Sequence, residues 1–264
     1  AKHLRKRICN VIASAGTKNT GTKNVPVGID SQLDKIFALY LQDRSERSSS
    51  DSDGNDDNVT PLMVACDKCC SEAFIFLRNQ VRASSDHEDN LQLSPNAIPT
   101  KHIIEAWGHP TEASSCGNRA AHHALAAGFC EGLDLLDYLW DCIEKEFEND
   151  RLHRYLSLIS QTNHNGDTPL MMASVSGHVA IIKHIVERIF KFALSTNSDN
   201  ADAILEKTWQ SIKDIFNMRN SEECAAMNLA CGHGHIDTVT FLIQPQYIQV
   251  CSSNNSSFEV NLCG

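Results

Sequence analysis

From Gly166 to Gly177 the chain reads GDTPLMMASVSG, and the eleven-residue step between the glycines admits one short helix and nothing longer. Asp167 and Thr168 precede Pro169, which suits a capped helix start with proline at the first helical position. Leu170, Met171 and Ala173 then supply about two apolar turns, and Gly177 can take the left-handed conformation that ends them. After His178, Val179, Ile182, Ile185, Val186 and Ile189 recur at three- and four-residue spacing, the period of a second, amphipathic helix. A lone helix–turn–helix cannot bury its apolar face, so the segment predicts further copies of itself.

Three more copies lie on the same frame. Gly117 to Leu136 reads GNRAAHHALAAGFCEGLDLL, with Gly117 and Gly128 again eleven apart. Glu223 to Leu242 reads ECAAMNLACGHGHIDTVTFL and ends its first helix at Gly234-His235. Asn58 to Leu77 reads NVTPLMVACDKCCSEAFIFL, keeping Thr60-Pro61-Leu62 but placing Cys69-Cys70 where Gly-His is expected. The third copy carries Gly166, Thr168, Pro169, Leu170, Ala173, Gly177, His178, Ile181 and Ile182, and on these residues the chain resembles the ankyrin repeat. The second copy keeps Gly117, His122, Ala124, Gly128, Leu133 and Leu136, and the fourth keeps Ala230, Gly234, His235, Val239 and Leu242. The resemblance implies an all-α helical repeat solenoid that displays residues to another protein.

The spacing departs from that family. Frame starts at 58, 117, 166 and 223 differ by 59, 49 and 57 residues, against the usual period of about 33. The whole excess falls after the second helix. Leu133–Ile159 and Ala180–Leu194 are helix-compatible, and AILEKTWQSIKDIF follows a polar stretch, so the reading is extended second helices and inserted helical segments. Remodelled hairpin loops are a further expectation. The organisation expected is an N-terminal helical segment over 1–43, a Ser/Asp-rich disordered loop over 44–57, and a repeat domain over 58–264 that continues further. Within the first segment, Leu4, Ile8 and Val11 mark one apolar side of a helix over Lys2–Ala15, and Ser31–Gln42 reads as another helix, both suiting a degenerate earlier repeat. The tail CSSNNSSFEVNLCG reads as an insert loop leading to a further copy.

Composition narrows the function. A formal net charge of −10 disfavours a nucleic-acid or anionic-membrane binder, which needs an excess of Lys and Arg. No apolar run reaches the length of a membrane span. Eleven scattered cysteines, an odd number, suit buried free thiols in a reducing compartment, so a cytoplasmic or nuclear location is expected. Asn58 and Asn254 begin glycosylation sequons, read as unused because the rest of the chain reads as intracellular; Ser50 and Ser52 sit among acidic neighbours that suit phosphorylation, with a plain solvated linker the favoured reading.

Catalytic chemistry finds little support. Cys66, Cys69 and Cys70 have one zinc-like spacing, but a structural zinc site wants a second pair and no other C-x-x-C exists. The resemblance gives His122 and His235 structural hydrogen bonds within or between repeats, and packs one of Met171-Met172 inside. No phosphate-cradling loop, nucleophile elbow or metalloprotease helix is present. No cofactor and no metal are expected, and the chain reads as a monomeric scaffold or adaptor without catalysis of its own; the alternative is a regulatory or recruiting segment of a larger enzyme such as a ubiquitin ligase or kinase. By resemblance, the partner contacts are Asn118, Ala126 and Ala127; His164, Asn165, Asp167, Val175 and Ser176; and Cys224, Gly232 and His233. The inserts are expected to wall the partner site.

Overall fold

The computed structural model describes residues 2–16, 31–35, 58–88, 100–143, 151–195, 201–243, 247–251 and 257–261. The Ser/Asp-rich stretch with Ser50 and Ser52, the Asn254 sequon and the end of the expected 31–42 helix lie outside them.

The described chain is almost wholly helical: α1 (Lys2–Gly16), α2 (31–35), α3 (Pro61–Asp67), α4 (Ser71–Glu88), α5 (Thr100–Trp107), α6 (Ala120–Ala126) and α7 (Cys130–Ile143). Then follow α8 (Arg151–Ser160), α9 (Pro169–Ser176), α10 (Val179–Ser195), α11 (Ala201–Phe216), α12 (Ala226–Gly232) and α13 (Ile236–Ile243). The frame is written into the backbone. Positive φ occurs at each frame start, Asn58 (+50°), Gly117 (+82°), Gly166 (+76°) and Glu223 (+59°). It returns eleven residues later at Cys69 (+47°), Gly128 (+68°), Gly177 (+74°) and Gly234 (+76°). First helices start three residues after the first of these positions, and second helices two residues after the other. Cys69 therefore does the work of the glycine that the first copy lacks.

Helices α5, α8 and α11 lie between one second helix and the next frame start, as the long spacings require. Helices α4, α7 and α10 run to 18, 14 and 17 residues, whereas α13 has only 8. The turns ahead of α6, α9 and α12 share one bonding pattern. Ser114, Asn163 and Asn220 each donate a backbone N–H to the residue four ahead and accept one from the residue three ahead. Where a loop was expected after α13, β1 (Tyr247–Cys251) pairs antiparallel with β2 (Ser257–Asn261), Tyr247 opposite Asn261. Strand segments rich in β-branched and aromatic residues, separated by five polar ones, favour a hairpin over a loop.

The chain divides into two compact bodies, Ala1–Ala120 with Glu131–Lys145, and Ala121–Cys130 with Glu146–Gly264. In the first, α1 packs on α3 and α5, and α3 on α4. The apolar side of α1 is Leu4, Ile8 and Ile12, all buried, with Val11 only half-buried; the four-residue step from Ile8 favours Ile12 over the three-residue step to Val11. Arg5 anchors this helix through a bidentate ion pair with Glu112 and a bond from Nε to the Glu105 carbonyl (2.9 Å). In the second body α9 lies along α12, and α10 packs on α8, α9, α11 and α13. Its core is Leu170, Ala173, Ile181, Ile182, Ile185, Val186, Ile189 and Phe190, all essentially inaccessible to solvent. Tyr155 meets Phe192 edge-on at 5.4 Å, and Phe190 stacks on Trp209 at 6.4 Å.

Candidate protein-interaction surface

The surface is built from turns that fix one another. At the third copy, Asn163 Oδ1 accepts the backbone N–H groups of Asn165 and Asp167, both at 2.9 Å. At the fourth, Asn220 Oδ1 accepts those of Glu222 (3.1 Å) and Cys224 (2.9 Å). The turns are then joined: Ser221 N–H donates to the Asn165 carbonyl (2.9 Å), and Asn220 Nδ2 donates to Asp167 Oδ1 (2.7 Å). A charge-assisted bond of this kind is stronger than a neutral one. The two tips are held as one rigid edge.

The helices are pinned to these turns from below. Thr168 caps α9, its buried hydroxyl accepting from Met171 N–H (3.2 Å). Met171 is buried, and its sulfur accepts the Thr168 N–H (3.4 Å), completing a reciprocal cap. His122 Nε2 lies 3.1 Å from the Asp167 carbonyl and His235 Nε2 2.7 Å from the Val175 carbonyl. Carbonyls only accept, so each Nε2 carries the proton and both histidines join neighbouring copies.

The expected contact residues fall into distinct settings. His164, Asn165, Ser176, Gly232 and His233 are exposed. Asp167 and Val175 are half-buried and engaged, the first through its carboxylate and carbonyl, the second through its carbonyl. Cys224 is half-buried, with both backbone groups bonded to Asn220. Ala126 and Ala127 are half-buried at the end of α6 in the second body, whereas Asn118 belongs to the first body, where its carbonyl accepts Ser114 N–H. The ring of His233 lies nearly parallel to that of His235, centroids 6.3 Å apart. Ser221 and Glu222, exposed at the fourth tip, were missed. The signal for them was the asparagine three residues before the frame start in both copies, Asn163 and Asn220.

The cysteines near copy one do not gather as ligands. Cys66 is buried in α3, and burial, with Cys69 and Asp67 nearby, pushes its thiol well above the usual range. Burial likewise raises Cys69 and Cys70. Among the described residues no three His, Cys, Asp or Glu side chains converge as a metal cage, and no helix is long and apolar enough to cross a membrane.

Copies three and four, with α9 laid along α12 and their turns bonded together, define a helical repeat protein. Residues 165–190 match the family model of the ankyrin repeat, so the third copy is an ankyrin repeat. A comparison with curated proteins returns no match.

Proposed function

We propose that this chain is a protein–protein interaction module, an ankyrin-repeat scaffold or adaptor without catalysis of its own, in which copies one, two and four are divergent repeats of the same family. The observation that carries the reading is the bonded pair of turns at Asn163 and Asn220, which holds His164, Asn165, Ser221 and Glu222 exposed on a fixed backbone. Rigid presentation lowers the ordering cost of binding. Ser176, Gly232 and His233, exposed at the ends of neighbouring helices, supply the second contact strip, with Ala126 and Ala127 beside them; Asn118 is a separate contact on the first body. Asp167, Val175 and Cys224 contribute chiefly by holding the backbone. Eleven cysteines, an odd number scattered along the chain, support placing the module in a reducing compartment, cytoplasmic or nuclear, as a monomer.

Capture of partners on the immobilised chain, compared with the variant His164→Ala/Ser176→Arg/His233→Ala, tests the reading. The partner held by the wild type should be lost by the variant, with both proteins melting at the same temperature. Equal capture by both would sink the assignment of the surface. The insert after α10 is proposed to wall the same site, and deletion of residues 195–203 should weaken capture; unchanged affinity removes that part alone.

A further inference from the structure

Two packed helices of the second body, α8 and α10, run against the charge of the chain. They carry five cationic side chains, Arg151, Arg154, Lys183, Arg188 and Lys191, against one carboxylate, Glu187. The whole chain has a formal charge of −10, so everything outside these two helices sums to −14 (−10 less the +4 that they hold).

Aromatic rings fix where two of the five charges stand. Arg188 Cζ lies 5.0 Å from the Phe192 ring centroid and 6.0 Å from that of Tyr155, and Arg151 Cζ lies 5.5 Å from that of Phe192. The two guanidinium carbons are therefore at most 10.5 Å apart (5.0 + 5.5), about one screening length at moderate salt. Tyr155 is fully buried and Phe192 nearly so, and their edge-on contact ties α8 to α10. The rings make a fixed floor that holds guanidinium ions by their attraction to the π faces. A guanidinium held over a ring face keeps its fork of N–H donors at its edge, the geometry that a carboxylate matches. Arg151 is exposed, Arg188 half-buried, and Lys191, next to Phe192 and one turn beyond Arg188, exposed. Arg154, one turn along α8 and buried, adds a charge that salt screens less.

We propose that this face of α8 and α10 docks an acidic peptide segment of a partner protein, with its carboxylates on Arg151, Arg188 and Lys191. Clustered arginines are a recurring way to read acidic motifs. Residues i and i+2 of an extended peptide project to one side about 7 Å apart, a spacing that two guanidinium ions no more than 10.5 Å apart can meet. Nucleic acid and anionic membranes carry dense, extended negative charge, which the −14 on the rest of the chain repels; a short acidic segment meets only the local positive field. The face shares no residue with the turn tips at Asn163 and Asn220 and does not depend on their role in binding.

Fluorescence anisotropy of a fluorescein-labelled hexaglutamate peptide, titrated with the 264-residue chain, tests the proposal, with labelled hexaglutamine as the uncharged control. Hexaglutamate should bind, more weakly at about 0.5 M salt than at about 0.05 M, and hexaglutamine should not. Arg151→Gln/Arg188→Gln should weaken hexaglutamate binding by about tenfold or more at an unchanged melting temperature. Since Arg188 also packs on two rings, Arg151→Gln/Lys191→Gln, confined to exposed positions, should show a loss of about fivefold or more where the first variant melts early. His164→Ala/His233→Ala, at the turn and helix ends, should bind the peptide as the wild type does, which separates this face from the tips. Absent hexaglutamate binding, equal binding of hexaglutamine, full binding by the exposed pair variant, or a loss in the tip variant would each overturn the proposal. So would tighter binding to an oligothymidylate or to phosphatidylserine vesicles than to hexaglutamate.

Discussion

Glu223 occupies the left-handed position that the second and third copies give to glycine, at φ +59°. A non-glycine residue there costs about 1–2 kcal/mol, partly offset by the unfolded-state entropy that glycine would add. Glu223→Gly should therefore stabilise the chain by about 0.5–1 kcal/mol, read as a higher urea midpoint; a lower midpoint would mean the carboxylate makes a contact worth more than the strain. Arg219 bonds the Glu223 carbonyl, which the substitution keeps. Gly177 and Gly234 share nearly the same φ, +74° and +76°, but only Gly177 faces His235. Gly177→Ala should cost about 1–3 kcal/mol more than Gly234→Ala, the surplus measuring the crowded contact; equal losses would show that His235 moves aside freely. At Cys66, the folded state raises the thiol pKa above its ordinary value of 9.0. Its contribution to stability is present below that pH and falls as pH rises, since the unfolded thiol ionises first. Melting temperature should drop more between pH 8 and about 10 for the wild type than for Cys66→Ala; parallel curves would contradict the burial.

At the scale of the element, the caps and the turn bridges carry the arrangement. Thr168→Ala removes the buried N-cap of α9 and should cost about 1–2 kcal/mol by denaturation. Asp167→Ala unties the two turns and should cost about 1–3 kcal/mol, with Asn220 Nδ2 left lacking that acceptor; a loss as small as a typical surface substitution would mean the turns hold without the bridge. The third copy was legible because its Thr, Pro, Gly and Ala report local backbone needs that any sequence must meet. The first copy was harder to read past Cys66, since left-handed φ at Cys69 is a conformation that cysteine does not advertise. The bridge between Asn220 and Asp167 was not legible, because it depends on the distance between residues 53 apart in sequence. The hairpin after α13 escaped notice because two five-residue strands carry too few positions to separate alternation from a loop.

For the whole molecule, the helical class followed from periodicity, whereas the surface depends on which equivalents remain uncovered. Leu170 and Met227 hold the same frame position and differ only in what lies over them. That information belongs to neighbours, not to either residue. The proposed contact strips at His164, Asn165, Ser176 and His233 inherit this dependence, since the proposal rests on the bonded turns that hold them. The most direct measurement is amide hydrogen exchange of the chain with and without a captured partner. Interaction through this surface predicts that protection on binding concentrates at residues 163–167, 175–176, 220–224 and 232–233. Protection confined instead to helices α8 and α11, with those segments exchanging as in the free chain, would contradict it.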